Sequence, residues 1–148
     1  AMTLADVLGE DGFQVLATDV ATVSVHTGQR ASYDGALLEQ IPVRFRSRFT
    51  RKTSAGFEID GALRRRVRFE QHNLMDDVYP RTPRHHVIFC RNTLVYFDRP
   101  TQASVLTKLT QCLVPRGFLF LGHSESMSGM NLPYDAVGPS TFRKRSEL

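Results

Sequence analysis

The chain has 148 residues, enough for one domain with one core, and 41% hydrophobic against 23% charged residues excludes a disordered or fibrous protein. No apolar run approaches the ~20 residues of a membrane-spanning helix and no signal peptide opens the sequence, so a cytoplasmic protein without membrane insertion is expected. The net charge of +4 is mild but crowded into the middle third, at Arg44, Arg46, Arg48, Arg51, Lys52, Arg64, Arg65, Arg66 and Arg68. No aromatic-interleaved RNA motif or DNA-reading helix accompanies these residues. They therefore read as a solvated face or a docking surface for an acidic protein, with no nucleic acid as partner.

In chain order, Ala1 to Leu8 reads as a helix with Leu4, Val7 and Leu8 on one face, ended by Gly9. Val15 to Thr18 is a short strand finishing at Asp19, and Ala21 to Arg30 a helix weakened by Thr22, Val23, Val25 and Gly28. Asp34 can cap a short helix through Leu37, Leu38 and Glu39 that stops near Pro42. Phe45 and Phe49, four apart, share a helical face. Between Thr50 and Ala62 the pattern changes: Phe57 and Ile59 alternate with polar residues between the turn signals Ser54-Ala55-Gly56 and Asp60-Gly61, which predicts a small inserted β-hairpin over residues 50–62. Val67 to Glu70 is a strand that runs into His72-Asn73-Leu74.

The next stretch organises the rest. Val87 to Cys90 reads as a strand buried on both faces of a parallel sheet, and it breaks into Arg91-Asn92 where such a strand should end. Leu94, Tyr96 and Phe97 supply apolar and aromatic walls, and Asp98 before Arg99-Pro100 starts a helix from Pro100 to Leu113 with Val105, Leu106, Leu109 and Leu113 on one side. Phe118 to Leu121 is a further buried strand ending at Gly122-His123-Ser124-Glu125-Ser126, and Thr141 to Arg143 is the last strand. Cys90 and Cys112 lie in apolar segments and read as reduced, buried thiols. His85-His86 has no partner at metal-ligand spacing, so no metal site is expected.

Strands alternating with helices imply an α/β fold with a doubly wound parallel sheet, whose ligands sit outside the carboxyl ends of the strands. Polar groups stand at three such ends: Asp19, Asn73 and Arg91-Asn92. A carboxylate suits the two hydroxyls of a ribose, and an Asn amide suits the edge of an adenine. Together they point to an adenosine-type ligand.

Val87-Ile88-Phe89-Cys90-Arg91-Asn92, Val95-Tyr96-Phe97-Asp98 and Gly122-His123-Ser124-Glu125-Ser126 resemble the corresponding blocks of the CheR-type chemotaxis receptor methyltransferases. Ala17-Thr18-Asp19, Ile41-Pro42 with Arg48-Phe49, and Asn73-Leu74 follow in that family's order, so the resemblance covers nearly the whole chain. It implies a Rossmann-like sheet and an S-adenosylmethionine-dependent protein-glutamate O-methyltransferase, leaving S-adenosylhomocysteine, with a chemoreceptor cytoplasmic domain as partner. Carried over by position, Asp19 would hold the ribose, while Asn73 and Leu74 would flank the adenine. Arg91, Asn92 and Tyr96 would line the cofactor's amino-acid end and the acceptor channel, with Arg91 and Tyr96 as the catalytic pair. The hairpin around Phe57 corresponds to a small β-subdomain that in some members grips a receptor tail peptide. It looks about three residues shorter here, which implies docking without the tail.

The resemblance also has departures. His86 stands where the family usually has Asp, and Arg116 where it has Gly. The family's helical amino-terminal domain, first strand and glycine-containing cofactor loop have no counterpart in these 148 residues. A partial methyltransferase domain is therefore expected, with weak or absent cofactor binding and no turnover alone, and with the pairing of an absent inner strand supplied by a longer chain or by self-association. The rival reading is a non-catalytic interaction module that keeps the fold.

Overall fold

A computed structural model describes residues 1–80 and 83–146. The chain divides into two compact units, residues 1–73 and 74–148.

In the first unit, α1 (Met2–Leu8) precedes β1 (Val15–Asp19), which pairs in parallel with β5 (Val67–Gln71), Val15 against Val67 and Asp19 against Gln71. The inward residues of α1 are Ala5, fully buried, and Met2, packed on Phe13, Phe45, Phe49 and Leu63. Leu4, Val7 and Leu8 share one side, and that side is exposed. The large aromatics of α3 (Val43–Phe49) already fill the space, so the contact selects the small side chain. Phe45 and Phe49 share one buried face as expected, with ring centroids 5.8 Å apart.

Between β1 and β5 runs α2 (Thr22–Arg30), whose weak propensity has a packing reason. The Phe69 ring of β5 lies where a Cβ on Gly28 would be, so only glycine lets helix and strand close up. Gln29 Nε2 fixes the same contact by donating to the Phe69 carbonyl at 3.1 Å. A short 3-10 turn, Gly35–Gln40, starts at Asp34, whose carboxylate accepts from the Ala36 N–H at 2.8 Å. The hairpin is present as β3 (Thr50–Thr53) and β4 (Gly56–Ile59). A two-residue strand, β2 (Ser32–Tyr33), adds to its other edge and rests Tyr33 on Phe57 with centroids 5.7 Å apart. Asp60-Gly61 is not a turn: Asp60 caps α4 (Gly61–Arg64), accepting from the Ala62 N–H at 2.8 Å.

The arginine cluster is largely paired inside this unit. Arg48 reaches Asp6 at 3.3 Å and Glu10 at 3.6 Å, Arg66 bonds Asp11, Arg68 meets Glu70 at 2.8 Å, and Arg51 lies 3.9 Å from Asp60. Arg46 donates to the carbonyls of Ile41 and Glu39, while Arg44 and Arg48 lie over the Phe45 and Phe49 rings.

In the second unit, β6 (His85–Cys90) pairs in parallel with β7 (Leu113–Leu121), which pairs antiparallel with β9 (Thr141–Lys144), and β8 (Tyr134–Gly138) closes the sheet antiparallel to β9. The fold is mixed α/β, but the single doubly wound parallel sheet read from the sequence is not seen among the described residues: the parallel pairs β1–β5 and β6–β7 belong to separate sheets, and β7–β9 and β9–β8 are antiparallel. One face of this sheet packs on α5 (Arg99–Cys112): Val105, Leu106 and Leu109 join Cys90, Leu113, Leu119 and Leu121 in one core. Only that face of β6 is buried. Val87 and Phe89 point the other way and are exposed, Phe89 stacking on Phe120 at 4.8 Å. At the far end of α5, Lys144 is buried with its ammonium donating to the carbonyls of Thr110 and Leu113, where a helix terminus favours positive charge. No helix among the described residues is long and apolar enough to cross a membrane.

Strand β7 begins five residues earlier than the apolar run suggests and takes in Pro115 and Arg116 through an irregularity in its pairing with β6. Arg116 sits at φ 64 there, in the left-handed region that suits glycine. Arg116→Gly is expected to raise stability by about 0.5–1 kcal/mol, because the relieved Cβ crowding exceeds the entropy glycine adds to the unfolded chain. The midpoint of urea unfolding checks this.

Candidate functional site

The sequence-predicted site residues stand at strand ends in each unit. In the first, Asp19 is the exposed last residue of β1, and its carboxylate accepts from the Ala21 N–H at 2.8 Å as the chain turns into α2. The His72 N–H continues the β1–β5 ladder by donating to the Asp19 carbonyl at 3.0 Å, so Asn73, exposed, follows directly at the same end of the pair. Asp19 and Asn73 therefore flank one sheet edge, at the carboxyl ends of neighbouring parallel strands.

In the second unit Leu74 is half-buried against the core, and its carbonyl accepts from the Tyr79 hydroxyl at 2.6 Å. Burial, and then the neighbouring Cys90, push the Tyr79 phenol up, so it stays a donor. Arg91 and Asn92 follow β6 directly and are exposed, and Tyr96, at 83% exposure, ends a 3-10 turn Leu94–Tyr96. Tyr96 is thus a surface group and not a core aromatic.

What fixes this loop is Glu125. The β6–β7 register sets Cys90 against Leu121, which brings the two loops that leave the sheet, at Arg91 and at Gly122, side by side. Glu125, only 8% exposed, turns its carboxylate into the gap. Oε1 accepts from the N–H of Thr93 at 2.8 Å and of Leu94 at 2.7 Å, and Oε2 from the N–H of Asn92 at 3.0 Å and of Gly122 at 2.5 Å. Burial opposes its charge, but the donations from Gly122, Leu94, Asn92 and Thr93 outweigh that and hold the carboxyl below its ordinary range. Asn92 is held at φ 57, where an asparagine is tolerated better than most residues. A Cβ on Gly122 would collide with Asn92 Oδ1 and come within 2.8 Å of Glu125 Oε2 and 2.9 Å of the Asn92 nitrogen, which is why glycine stands there.

Helix α5 holds the carbonyl side of the same loop. Gln102 Nε2 donates to the carbonyls of Leu94 at 3.0 Å and Phe97 at 2.9 Å, and Asp98 caps the helix through the Thr101 N–H at 2.9 Å, as the sequence suggested. Arg99 bonds the carbonyls of Ser126, at 3.0 Å, and Ser128.

A family model described as CheR methyltransferase, SAM binding domain, matches residues 1–142. The chain belongs to the CheR methyltransferase family. Chemotaxis protein methyltransferase 2 of Pseudomonas aeruginosa is 30% identical over 96% of this chain and 53% of its own length. The chemotaxis protein methyltransferase of Klebsiella aerogenes is 32% identical over 96% of this chain and 51% of its own. "Probable biofilm formation methyltransferase WspC" of P. aeruginosa is 34% identical over 99% of this chain and 36% of its own. This CheR domain thus spans about half the length of the chemotaxis relatives it matches, or less.

Sequence reasoning quoted Glu125 inside its motif but gave it no task, and it passed over Gln102. The available signal was an acid between two serines, three residues past a glycine that closes a buried strand. Among the described residues of the CheR domain, no three His, Cys, Asp or Glu side chains gather as a metal site. Cys90 and Cys112 are both buried. Burial, and then the charge of Glu125, push the Cys90 thiol up to about 11.

Both thiols are expected to resist iodoacetamide in the folded domain at mildly alkaline pH and to react fully once it is denatured, as mass spectrometry would read. Glu125→Gln places an amide among N–H donors and is expected to cost at least about 2 kcal/mol near neutral pH. Because folding depresses this carboxyl, its contribution is full above the ordinary value of about 4.3 and fades as the pH falls through the lower folded value. The stability gap between wild type and Glu125→Gln should therefore close in acid, which denaturant titrations across that range would measure.

Proposed function

We propose that this domain binds S-adenosylmethionine and takes part in methylating glutamate side chains on the cytoplasmic helices of a bacterial receptor, leaving S-adenosylhomocysteine. Beyond the family itself, the observation that carries this reading is the placement of Asp19 and Asn73 at adjoining parallel strand ends. An exposed carboxylate there can accept from both ribose hydroxyls, and an amide can pair with an adenine edge, with Leu74 as an apolar flank. Arg91 and Asn92 are proposed to meet the cofactor's amino-acid end. Arg91 and Tyr96 are proposed to orient the acceptor carboxylate, the guanidinium bidentately and the phenol by one hydrogen bond.

Such a reaction needs little acid–base chemistry. A sulfonium methyl is already electrophilic and a glutamate is anionic at neutral pH, so the acceptor oxygen can attack in line once the two are aligned and water is excluded. Fixed, exposed polar groups on a rigid loop suit that task better than a tuned base.

The acceptor is read as a receptor helix because the chemotaxis relatives carry that pathway in their names, while the WspC name points to biofilm formation. The β3–β4 hairpin is proposed to be a docking element that works without a receptor tail peptide, given its two-residue connection. Strand β6 is paired on one side only among the described residues, and a further segment or a second copy is proposed to complete it. With about half the relatives' length, the 148 residues alone are proposed to bind cofactor weakly and to transfer no methyl group.

In a ¹⁵N-labelled chain, S-adenosylhomocysteine is expected to shift the amides around Asp19, Asn73 and Arg91–Asn92, and Asp19→Ala to weaken that binding about tenfold or more. No shift at any of these positions would refute the cofactor site. Isothermal titration with a receptor tail pentapeptide is expected to show no micromolar binding.

A further inference from the structure

We infer that Glu125 is a positioning residue for the cofactor-end groups: by gripping backbone N–H groups of two loops, it sets the direction in which Arg91 and Asn92 are presented. The inference rests on the proposed cofactor role of those two side chains, and the grip itself stands on geometry alone.

Three consecutive N–H groups, of Asn92, Thr93 and Leu94, converge on one carboxylate together with that of Gly122. Converging backbone donors of this kind form an anion site, and here the chain's own glutamate occupies it. Two things follow. The loop cannot offer those N–H groups to a ligand carboxylate, so recognition at this strand end falls to side chains. And the left-handed turn at Asn92 is held by the bonds on and just after it, so the step from Cys90, buried in the core, to Asn92, exposed, has one direction. Gln102 closes the arrangement from the carbonyl side, at Leu94 and Phe97. Neither Glu125 nor Gln102 needs to touch a ligand for this.

The test uses the ¹⁵N-labelled chain as wild type, Glu125→Gln and Glu125→Asp. Amide hydrogen exchange at Asn92, Thr93 and Leu94 is expected to rise at least tenfold more in Glu125→Gln than at Leu119 and Leu121 of the core, with Glu125→Asp between. An equal rise at all five positions would mean general destabilisation and overturn the inference. On titration with S-adenosylhomocysteine, Glu125→Gln is expected to keep the shifts near Asp19 and Asn73 and to lose those at Arg91 and Asn92. Unchanged shifts at Arg91 and Asn92 would overturn the positioning role and leave the cofactor site standing. No shifts even in wild type would overturn the cofactor reading, and the exchange result would still decide the grip. Should Glu125→Gln not fold, the wild-type amide protons of Asn92, Thr93, Leu94 and Gly122 are expected to titrate together with one midpoint below the ordinary carboxylate range. Separate midpoints would overturn the inference.

Discussion

The constraint on which the second unit depends is that one carboxylate satisfies four backbone donors drawn from two loops. Adjacent parallel strands that end level with each other leave their following loops crowded together, each with N–H groups that have no ladder to join. Left unpaired near the core, such donors are costly. Glu125 answers several at once, and its negative charge persists because the donors it meets are dipoles aimed at it. Glycine at 122 is then a consequence, since the carboxylate and the side chain and backbone of Asn92 take up the space a side chain would need.

From that point the rigidity passes into the helix. The Asp98 cap, the Gln102 bonds to the Leu94 and Phe97 carbonyls and the Arg99 bonds to Ser126 and Ser128 join both loops to the first turns of α5. One turn further, Val105, Leu106 and Leu109 bury the same helix in the sheet. The loop that bears Arg91, Asn92 and Tyr96 is therefore fixed from its N–H side, its carbonyl side and its exit, while those three side chains stay exposed.

The sequence made the strand ends, the Asp34 and Asp98 caps, the Phe45–Phe49 face and the core of α5 legible because each has a side-chain signature: an acid before a turn, or apolar residues at helical spacing. Glu125 escaped because its partners are backbone groups, which leave no mark in the residue string. Strand β8 escaped because four of its five residues are exposed, Asp135 and Gly138 among them, and among the described residues it pairs only along β9. Strand β2 is two residues long, too short for a period. Which face of α1 is buried is not legible from its leucines, because the neighbouring phenylalanines leave room for Ala5 and Met2 instead. A continuous apolar run cannot tell one covered face from two, so Val87 and Phe89 read as buried although they are exposed.

Charge shows the same difference between composition and arrangement. Nine basic residues in the middle third suggested a free basic surface, yet Arg48, Arg51, Arg66 and Arg68 have acid partners, Arg46 bonds carbonyls, and Arg44 lies over a ring. Exposed pairs of this kind contribute little stability each, but they remove most of the field that would draw a polyanion. The proposed acceptor, a receptor helix bearing glutamates, would ask for something more local: a cation held in a fixed place beside the proposed methyl donor. Arg91 directly follows β6, on a loop whose backbone is held from both its N–H and its carbonyl side.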